Sequence, residues 1–242
     1  MKRKLNWIIA ICLITISCQK PIDKMFSTEE NLKSANLANI SVTCPPTVLT
    51  GTISTNMTLT TGNAYLLRGN VEVDNATLTI QPGVLIMGEK ATNGALIIKK
   101  NAQINAVGTV TNPIIFTSDQ TPGSRAAGDW FGVAILGNAP NNQSNSINFS
   151  INSTSYNFGG SSSASSAGRF EFVQIHYAGA GGGAGSDVLT ESALIVGSVG
   201  SGMTVRNIQL SNSLKDGFGI WGGEVGIKEV LTNRTYDQCT FC

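Results

Sequence analysis

The chain has 242 residues, of which 13% are charged, and its formal net charge at pH 7 is +1. This near balance excludes the strongly basic surface on which nucleic-acid-binding proteins depend, so we expect no nucleic-acid partner. The 27 glycines and the low aromatic content of 7% favour short strands joined by tight turns over helices.

The first 18 residues have the pattern of a bacterial export signal. Residues 1–4 are basic, and residues 7–16 form an apolar stretch that is too short to span a bilayer. A small residue then precedes Cys18, which resembles the lipobox of bacterial lipoproteins, although Thr15 stands where that motif usually has Leu, Val or Ile. The resemblance implies that Cys18 is lipidated and becomes the mature N-terminus. An ordinary secretory signal with an incidental cysteine is the alternative.

Residues 19–47 form a polar tether, and residues 48–242 are predicted to form one β domain. Residues 57–69 and 76–88 superpose without a gap when they are shifted by about 19 positions, and residues 95–108 repeat the pattern with altered spacing, with Leu96 answering Leu78. A period near 20 residues with two or three strands predicts an all-β fold, a single right-handed parallel β-helix. We expect about seven or eight coils.

A polar excursion at residues 140–168 interrupts the repeats, and residues 147–158 within it are predicted to form a strand pair. The excursion is either a binding face or a solvated loop. The coils then resume with two alignments. Phe172, Ile175 and Tyr177 align with Val205, Ile208 and Leu210, and Val205, Ile208 and Ser211 align with Ile227, Val230 and Asn233.

Five segments carry a family resemblance: residues 76–88 (ATLTIQPGVLIMG), 94–98 (GALII), 123–130 (GSRAAGDW), 198–202 (SVGSG) and 217–223 (GFGIWGG). On these the chain resembles the parallel β-helix, pectin-lyase-like surface proteins and lipoproteins of Bacteroidota. The resemblance implies the fold and a secreted or anchored location, and most members have no assigned activity. The chain lacks the late acidic clusters of that family and stops one strand after a good repeat. We therefore expect a truncated product or a final coil that a partner covers.

The segment at residues 123–130 contains the first candidate site. Arg125, Asp129 and Trp130 form either a ligand-binding loop, with Trp130 as a stacking platform, or a structural corner in which Arg125 pairs with Asp129 and Trp130 packs inward. Trp130, Tyr156 and Trp221 are the candidates for an aromatic row that would bind sugars.

Catalytic chemistry has little support in the sequence. Acidic residues of the repeats are scattered singly. The best candidate for a carboxylate pair is Asp216 with Asp237; the alternative is that both are turn residues whose side chains accept hydrogen bonds from backbone N–H groups. The one histidine, His176, alternates with core residues and should lie exposed on the outer side of its strand. We expect no catalytic residue, metal site or cofactor.

Three cysteines of the mature chain besides Cys18 have no assigned chemistry. Cys44 precedes the first coil and Cys239 follows the last, which places them roughly 35 Å apart at about 4.8 Å per coil. A disulfide between them within one chain is excluded on that distance. A local Cys239–Cys242 disulfide and free thiols are the two open alternatives.

These observations predict an outer-membrane lipoprotein that faces the cell surface or the periplasm and is held in the membrane by its N-terminal lipid. The protein is expected to be non-catalytic and to bind a polysaccharide or an envelope protein, or to serve a structural role. A carbohydrate-active lyase or glycoside hydrolase is the alternative. An enzyme should gather acidic residues and a Lys or Arg in one groove, whereas a binding module should show an aromatic row.

Overall fold

The computed structural model describes residues 45–143, 146–181, 192–235 and the backbone of 239–241. Fifteen of the strands in these residues form one sheet, and two form a separate antiparallel hairpin. All pairings within the large sheet are parallel, so the chain forms a parallel β-helix, as predicted. In the described part of the chain, no helix is long and apolar enough to cross a membrane. The proposed signal, Cys18, most of the tether, Cys44 and Cys242 lie outside it.

The strands stack in three hydrogen-bonded columns, and several strands turn a corner and contribute to two of them. Column A contains β2 (Met57–Leu59), β4 (Thr77–Ile80), β7 (Gln103–Val107) and the first parts of β12 (Gly168–His176), β14 (Thr204–Ser211) and β16 (Gly226–Asn233). Column B contains the first parts of β1 (Thr47–Ile53) and β3 (Ala64–Val73), then β5 (Leu85–Gly88), β8 (Ile114–Ser118) and the second parts of β12, β14 and β16. Column C contains the second parts of β1 and β3, then β6 (Ala95–Ile98), β9 (Gly132–Leu136), β13 (Ser192–Val199), β15 (Asp216–Gly223) and β17 (Cys239–Phe241). A 3₁₀ turn, Lys90–Thr92, joins β5 to β6.

After β1, the chain passes through columns A, B and C in turn six times within the described residues: β2–β3, β4–β6, β7–β9, β12–β13, β14–β15 and β16–β17. With the two columns that β1 occupies, this makes nearly seven coils, which agrees with the lower end of the predicted seven or eight. The loop after β8, the hairpin and the segment between β12 and β13 lengthen individual coils beyond the period near 20.

In the last three coils, the corners between columns A and B are made by single residues in the left-handed conformation. Phe172, Asn207 and Glu229 have φ of 51°, 55° and 57° at equivalent positions of β12, β14 and β16. Because one such residue redirects the backbone without ending the strand, pairing continues on both sides of the corner. The coils therefore keep a common register around the bend.

The observed register corrects two of the predicted alignments. Met57 pairs with Leu78, 21 positions later, so the shift of about 19 was two residues short. Leu96 pairs with Val71 in column C and does not stack on Leu78, whose partner is Ile104. A slip of two keeps every inward side chain inward, so hydrophobic alternation cannot detect it.

The same slip affected the later coils. Ile175 stacks on Leu210 and not on Ile208, because the offset between β12 and β14 is 35. The alignment of Val205, Ile208 and Ser211 with Ile227, Val230 and Asn233 is confirmed.

The excursion at residues 140–168 contains the predicted strand pair as an antiparallel hairpin, β10 (Ile147–Ile151) and β11 (Thr154–Phe158). Its two-residue turn has φ of 49° at Asn152 and 64° at Ser153, which matches the twist of the flanking strands. The hairpin folds back onto the outer side of column C. We call the surface between them the second core.

Column C is consequently buried on both sides. Its inward residues, such as Leu96 and Val133, belong to the interior core, and the alternate residues Ile97 and Ala134 pack under the hairpin. Gly197 is required at this interface, because a Cβ there would lie 2.9 Å from the ring of Phe158.

Trp130 closes the interior at the start of β9. Its ring is fully buried and stacks on Phe116, with centroids 6.3 Å apart and an interplanar angle of 11°. Its indole N–H donates to the carbonyl of His176 at 2.8 Å. The ring also lies directly over Gly88, where a Cβ would come within 2.4 Å of it.

Replacing Gly88 with Ala should therefore push Trp130 out of its site and lower the free energy of unfolding by about 1–3 kcal/mol, the usual cost of overpacking a core. Urea denaturation followed by tryptophan fluorescence measures this change. Gly226→Ala is the matched control, because no atom lies within 4 Å of its Cβ position. Equal stability of G88A and the wild type would contradict the packing described.

Candidate functional site

A polar groove lies where the hairpin meets the last residues of column C. It has a volume of about 270 Å³ and is lined by Glu72, Lys99, Lys100, Leu136, Thr154, Ser155, Tyr156 and Asn157. Ligand pockets usually measure about 300–1,000 Å³, so this groove can hold one small unit of a ligand. We call it the hairpin groove.

The register between β3 and β6 brings the charged residues of the hairpin groove together. Val73 pairs with Ile98, so the residues that follow, Asp74 and Lys99, come side by side on adjacent coils. The ammonium of Lys99 lies 2.7 Å from a carboxylate oxygen of Asp74 and 3.5 Å from one of Glu72. Two acidic residues and a lysine therefore share one edge of the groove, which corrects the expectation that acidic residues of the repeats are isolated.

Tyr156 joins the hairpin to this cluster. Its hydroxyl donates to Glu72 Oε1 at 2.6 Å and accepts from the side-chain amide of Asn70 at 2.8 Å. Burial of the ring and the hydrogen bond to Glu72 both raise the pKa of Tyr156, so the phenol keeps its proton at neutral pH. Lys100 makes a second tie, because its ammonium donates to the carbonyl of Gly159 at 2.9 Å.

An amide network holds the tip of the hairpin. The side-chain amide of Asn152 donates to the side-chain oxygen of Asn70 at 2.7 Å and to the carbonyl of Asn93 at 2.8 Å. Asn93 in turn donates to the side-chain oxygen of Asn152 at 2.8 Å. These bonds fix the hairpin turn against column C, so the wall of the groove is held at both ends.

The charge state of the groove follows from these contacts. The hydrogen bond to Asp74, with further attraction from Glu72, raises the pKa of Lys99 despite partial desolvation. Lys99 therefore stays an ammonium at neutral pH. The groove presents protonated donors beside carboxylate acceptors, and neither Lys99 nor Tyr156 can take up a proton there.

Trp130 packs inward in the segment 123–130, as the structural-corner alternative expects, whereas ligand binding by Arg125 and Asp129 stays a prediction. Trp130 has no exposed surface and cannot stack on a ligand. Asp129 is 2% exposed and accepts hydrogen bonds from Ser118 Oγ at 2.6 Å and Ala126 N–H at 2.9 Å, with the Lys90 ammonium 2.8 Å away. Burial alone would raise the pKa of Asp129, but these three partners outweigh it and lower the pKa.

Arg125 is half-buried in the same corner. Its Nε donates to the carbonyl of Gln120 at 2.9 Å, and burial lowers the pKa of the guanidinium. The close ion pair of Asp129 is with Lys90, which comes from the 3₁₀ turn of a preceding coil. The sequence prediction looked for a partner only within the local turn.

The predicted aromatic row is also absent from the surface. Tyr156 and Trp221 belong to the second core, and Trp130 to the interior core. Tyr156 lines the hairpin groove but is only 5% exposed, and the indole N–H of Trp221 is buried without a hydrogen-bond partner. Trp221 lies under the hairpin and Tyr156 is part of it, and the sequence pattern does not reveal that these two elements pack together.

His176 is buried, contrary to the prediction that it is exposed, with 2% of its surface accessible. The backbone N–H groups of Gly128 and Asp129 donate to the carbonyls of Ala178 and Tyr177, and the Trp130 indole donates to the carbonyl of His176 itself. Burial lowers the pKa of His176 to about 4, and the nearby Arg125 guanidinium adds to the shift. Gln174 and Tyr177 are its other polar neighbours.

Two predicted sites cannot be assembled from the described residues. Asp216 is buried at the start of β15, and Asp237 lies outside the described part, so their pairing stays a prediction. The side chains of Cys239 and Cys242 lie outside it as well. Among the residues described, no group of three or more His, Cys, Asp or Glu could hold a metal ion.

The charged residues of the hairpin groove were missed because β6 was assigned to the wrong column. The sequence does contain their signal: Glu72 and Asp74 alternate with Val71 and Val73 at one strand end, and two lysines follow β6. Stacking these two strand ends, and not Leu96 on Leu78, would have found the cluster.

Comparison with known families agrees with this architecture. Residues 51–241 match the model of the pectate-lyase-like beta helix domain. The chain belongs to this family. No curated protein and no solved structure matches it significantly. The family membership supports the predicted pectin-lyase-like fold.

Burial of His176 predicts a pH-dependent stability. Between pH 6.5 and about 4 the unfolded chain binds a proton at this histidine and the folded chain does not, so stability falls as the pH is lowered through this range. A shift of this size corresponds to about 3 kcal/mol. Urea denaturation at several pH values should show this loss in the wild type and a loss smaller by that amount in His176→Gln.

The free energy of unfolding of both proteins below pH 4 provides the control for this prediction. Asp129 and Glu171 have lowered pKa values, so both proteins should lose further stability there as these carboxylates are protonated. Parallel curves for wild type and H176Q between pH 6.5 and 4 would contradict the burial of a neutral His176.

Proposed function

We propose that the protein is a non-catalytic lipoprotein of the bacterial outer membrane, facing the cell surface or the periplasm, that binds a polysaccharide through the hairpin groove. The Bacteroidota-like sequence segments and the arrangement around Cys18 support the location. The observation that carries the binding role is the groove itself, whose lining residues Glu72, Lys99 and Tyr156 are held together by direct contacts, with Asp74 bound to Lys99 beside them.

A sugar is the ligand that this chemistry suits best. Sugar hydroxyls both donate and accept hydrogen bonds, and the groove offers lysine ammonium donors beside carboxylate acceptors. The mutual ion pairs cancel most of the local charge, which favours a hydroxyl-rich ligand over a highly charged one. The volume of about 270 Å³ fits one small unit of such a polymer.

The same contacts argue for binding without catalysis. A lyase needs a base to remove a proton, and the raised pKa values of Lys99 and Tyr156 leave both groups protonated at neutral pH. Glu72 and Asp74 already accept hydrogen bonds from protein groups. Ordered and satisfied polar groups are what a binding groove requires.

A carbohydrate-active hydrolase or lyase on the same fold is the second candidate. One observation favours it: Glu72 and Lys99 line one groove and Asp74 adjoins them, which is the arrangement expected of an enzyme. In this case Glu72 or Asp74 would act as the acid or base.

Membrane anchoring is tested by Cys18→Ala in the full-length protein expressed in a bacterial host. Lipidated protein should sediment with the membranes and be released by detergent, because two or more buried acyl chains hold a protein stably. The C18A variant should lose this association. Protease treatment of intact cells then distinguishes surface from periplasmic exposure. Equal membrane association of both forms would show that Cys18 is not the anchor.

The groove is tested by Ser155→Leu, which fills it from the exposed side of β11. Binding to the polysaccharides that the wild type retains on a glycan array should weaken at least tenfold. Ser150→Leu is the matched control, because Ser150 is the cross-strand partner of Ser155 and does not line the groove. Equal weakening by both variants would contradict the assignment.

Product release from the same polysaccharides separates the two candidate functions. We expect no new reducing ends or unsaturated products from the wild type. Release that Glu72→Gln abolishes would establish the enzyme instead. Asn157→Gln, a change on the groove wall that leaves every carboxylate in place, is the control for that loss.

A further inference from the structure

A second polar cluster lies on the outer side of column A, whereas the hairpin groove adjoins column C. Glu171 of β12 is only 1% exposed and is held between two arginines. Arg169 Nε donates to Glu171 Oε1 at 2.7 Å, and Arg206 of β14 donates to Oε2 through Nε at 2.8 Å and Nη2 at 2.7 Å. We call these three residues the arginine clamp.

The clamp leaves most guanidinium donors facing solvent. A guanidinium has five N–H donors, and Glu171 engages only Nε of Arg169 and two nitrogens of Arg206. The two arginine side chains are 53% and 46% exposed. The buried carboxylate therefore orders both arginines without covering their outer edges. Burial would raise the pKa of Glu171, but the hydrogen bonds from the arginines outweigh it and lower the pKa.

Register extends the clamp along the β-helix. Glu171 pairs with Arg206, and Arg206 pairs with Lys228 of β16, which is exposed. Consecutive strands lie about 4.8 Å apart, so three successive coils present a cation at this edge of column A. Glu229 follows Lys228, but its carboxylate accepts a hydrogen bond from the Asn207 side chain at the corner.

We propose that Arg169, Arg206 and Lys228 bind the oxyanion groups of an acidic polysaccharide lying along the β-helix, with Glu171 as the positioning residue. Planar guanidinium groups recognise carboxylate and sulfate through paired hydrogen bonds. A linear polymer is favoured because the cations repeat from coil to coil. Nucleic acid is disfavoured because the net charge of +1 provides no extended basic surface. The site is independent of the hairpin groove, and either can fail without the other.

Binding of the full-length protein to dextran sulfate and to polygalacturonate tests the proposal, with uncharged dextran as reference. The triple variant Arg169→Gln/Glu171→Gln/Arg206→Gln should raise the Kd at least tenfold for one or both acidic polymers. It leaves no buried carboxylate unpaired, so folding is preserved, and thermal unfolding verifies this. Its net charge changes by one unit relative to the wild type.

Arg68→Gln is the matched control, because it removes one positive charge from a different column, where Arg68 pairs with Glu89. We expect less than a twofold change. The proposal is overturned if R68Q weakens binding as much as the triple variant, or if the triple variant binds both acidic polymers as the wild type does. It is also overturned if the triple variant binds anionic phospholipid vesicles more weakly than the wild type but binds the acidic polymers equally well.

Glu171→Gln alone tests positioning against simple charge. This change makes the cluster more positive, so electrostatic attraction alone predicts tighter binding to dextran sulfate. If Glu171 acts by ordering the arginines, affinity should fall several-fold instead, even though the charge has become more favourable. Tighter binding would overturn the positioning role.

Discussion

Stacking register between neighbouring coils is the constraint on which this structure depends. Each interior strand obtains its backbone hydrogen bonds and much of its buried surface from the coils on either side, so no coil is stable alone. Register also decides which side chains meet on the outside. Val73 stacked on Ile98 places Asp74 beside Lys99, and Glu171 stacked on Arg206 forms the arginine clamp. Both polar clusters are therefore consequences of the same backbone pairing.

Fold class could be read from the sequence because strand alternation and turn residues recur along the chain. Register could not, since a slip of two residues preserves which side chains point inward. Leu66 and Leu85 illustrate this: they looked equivalent, yet Leu66 stacks on Met87, and Leu85 on Ala64. The alignment of β14 with β16 was correct because only β15, the column C strand of the same coil, lies between them, without an inserted loop or hairpin.

Predictions about individual side chains failed for a different physical reason. Alternation tells which side of a strand a residue occupies, but not what covers that side. Trp221 lies on the outer side of the coil and is buried because the hairpin packs there, and Tyr156 is buried as part of that hairpin. Such covering segments come from distant parts of the chain, and no local sequence pattern predicts where they pack.

Ion pairing in the two polar clusters determines how each can bind a ligand. In the hairpin groove Glu72 and Asp74 are paired with Lys99, whereas in the arginine clamp one carboxylate, Glu171, is paired with two arginines, so the clamp keeps a net positive charge. In the hairpin groove affinity must therefore come from donors and acceptors already held in position. The same pairing keeps Lys99 protonated, which removes a base from the hairpin groove. Stacking therefore sets both the positions of the polar groups in the hairpin groove and the protonation of Lys99.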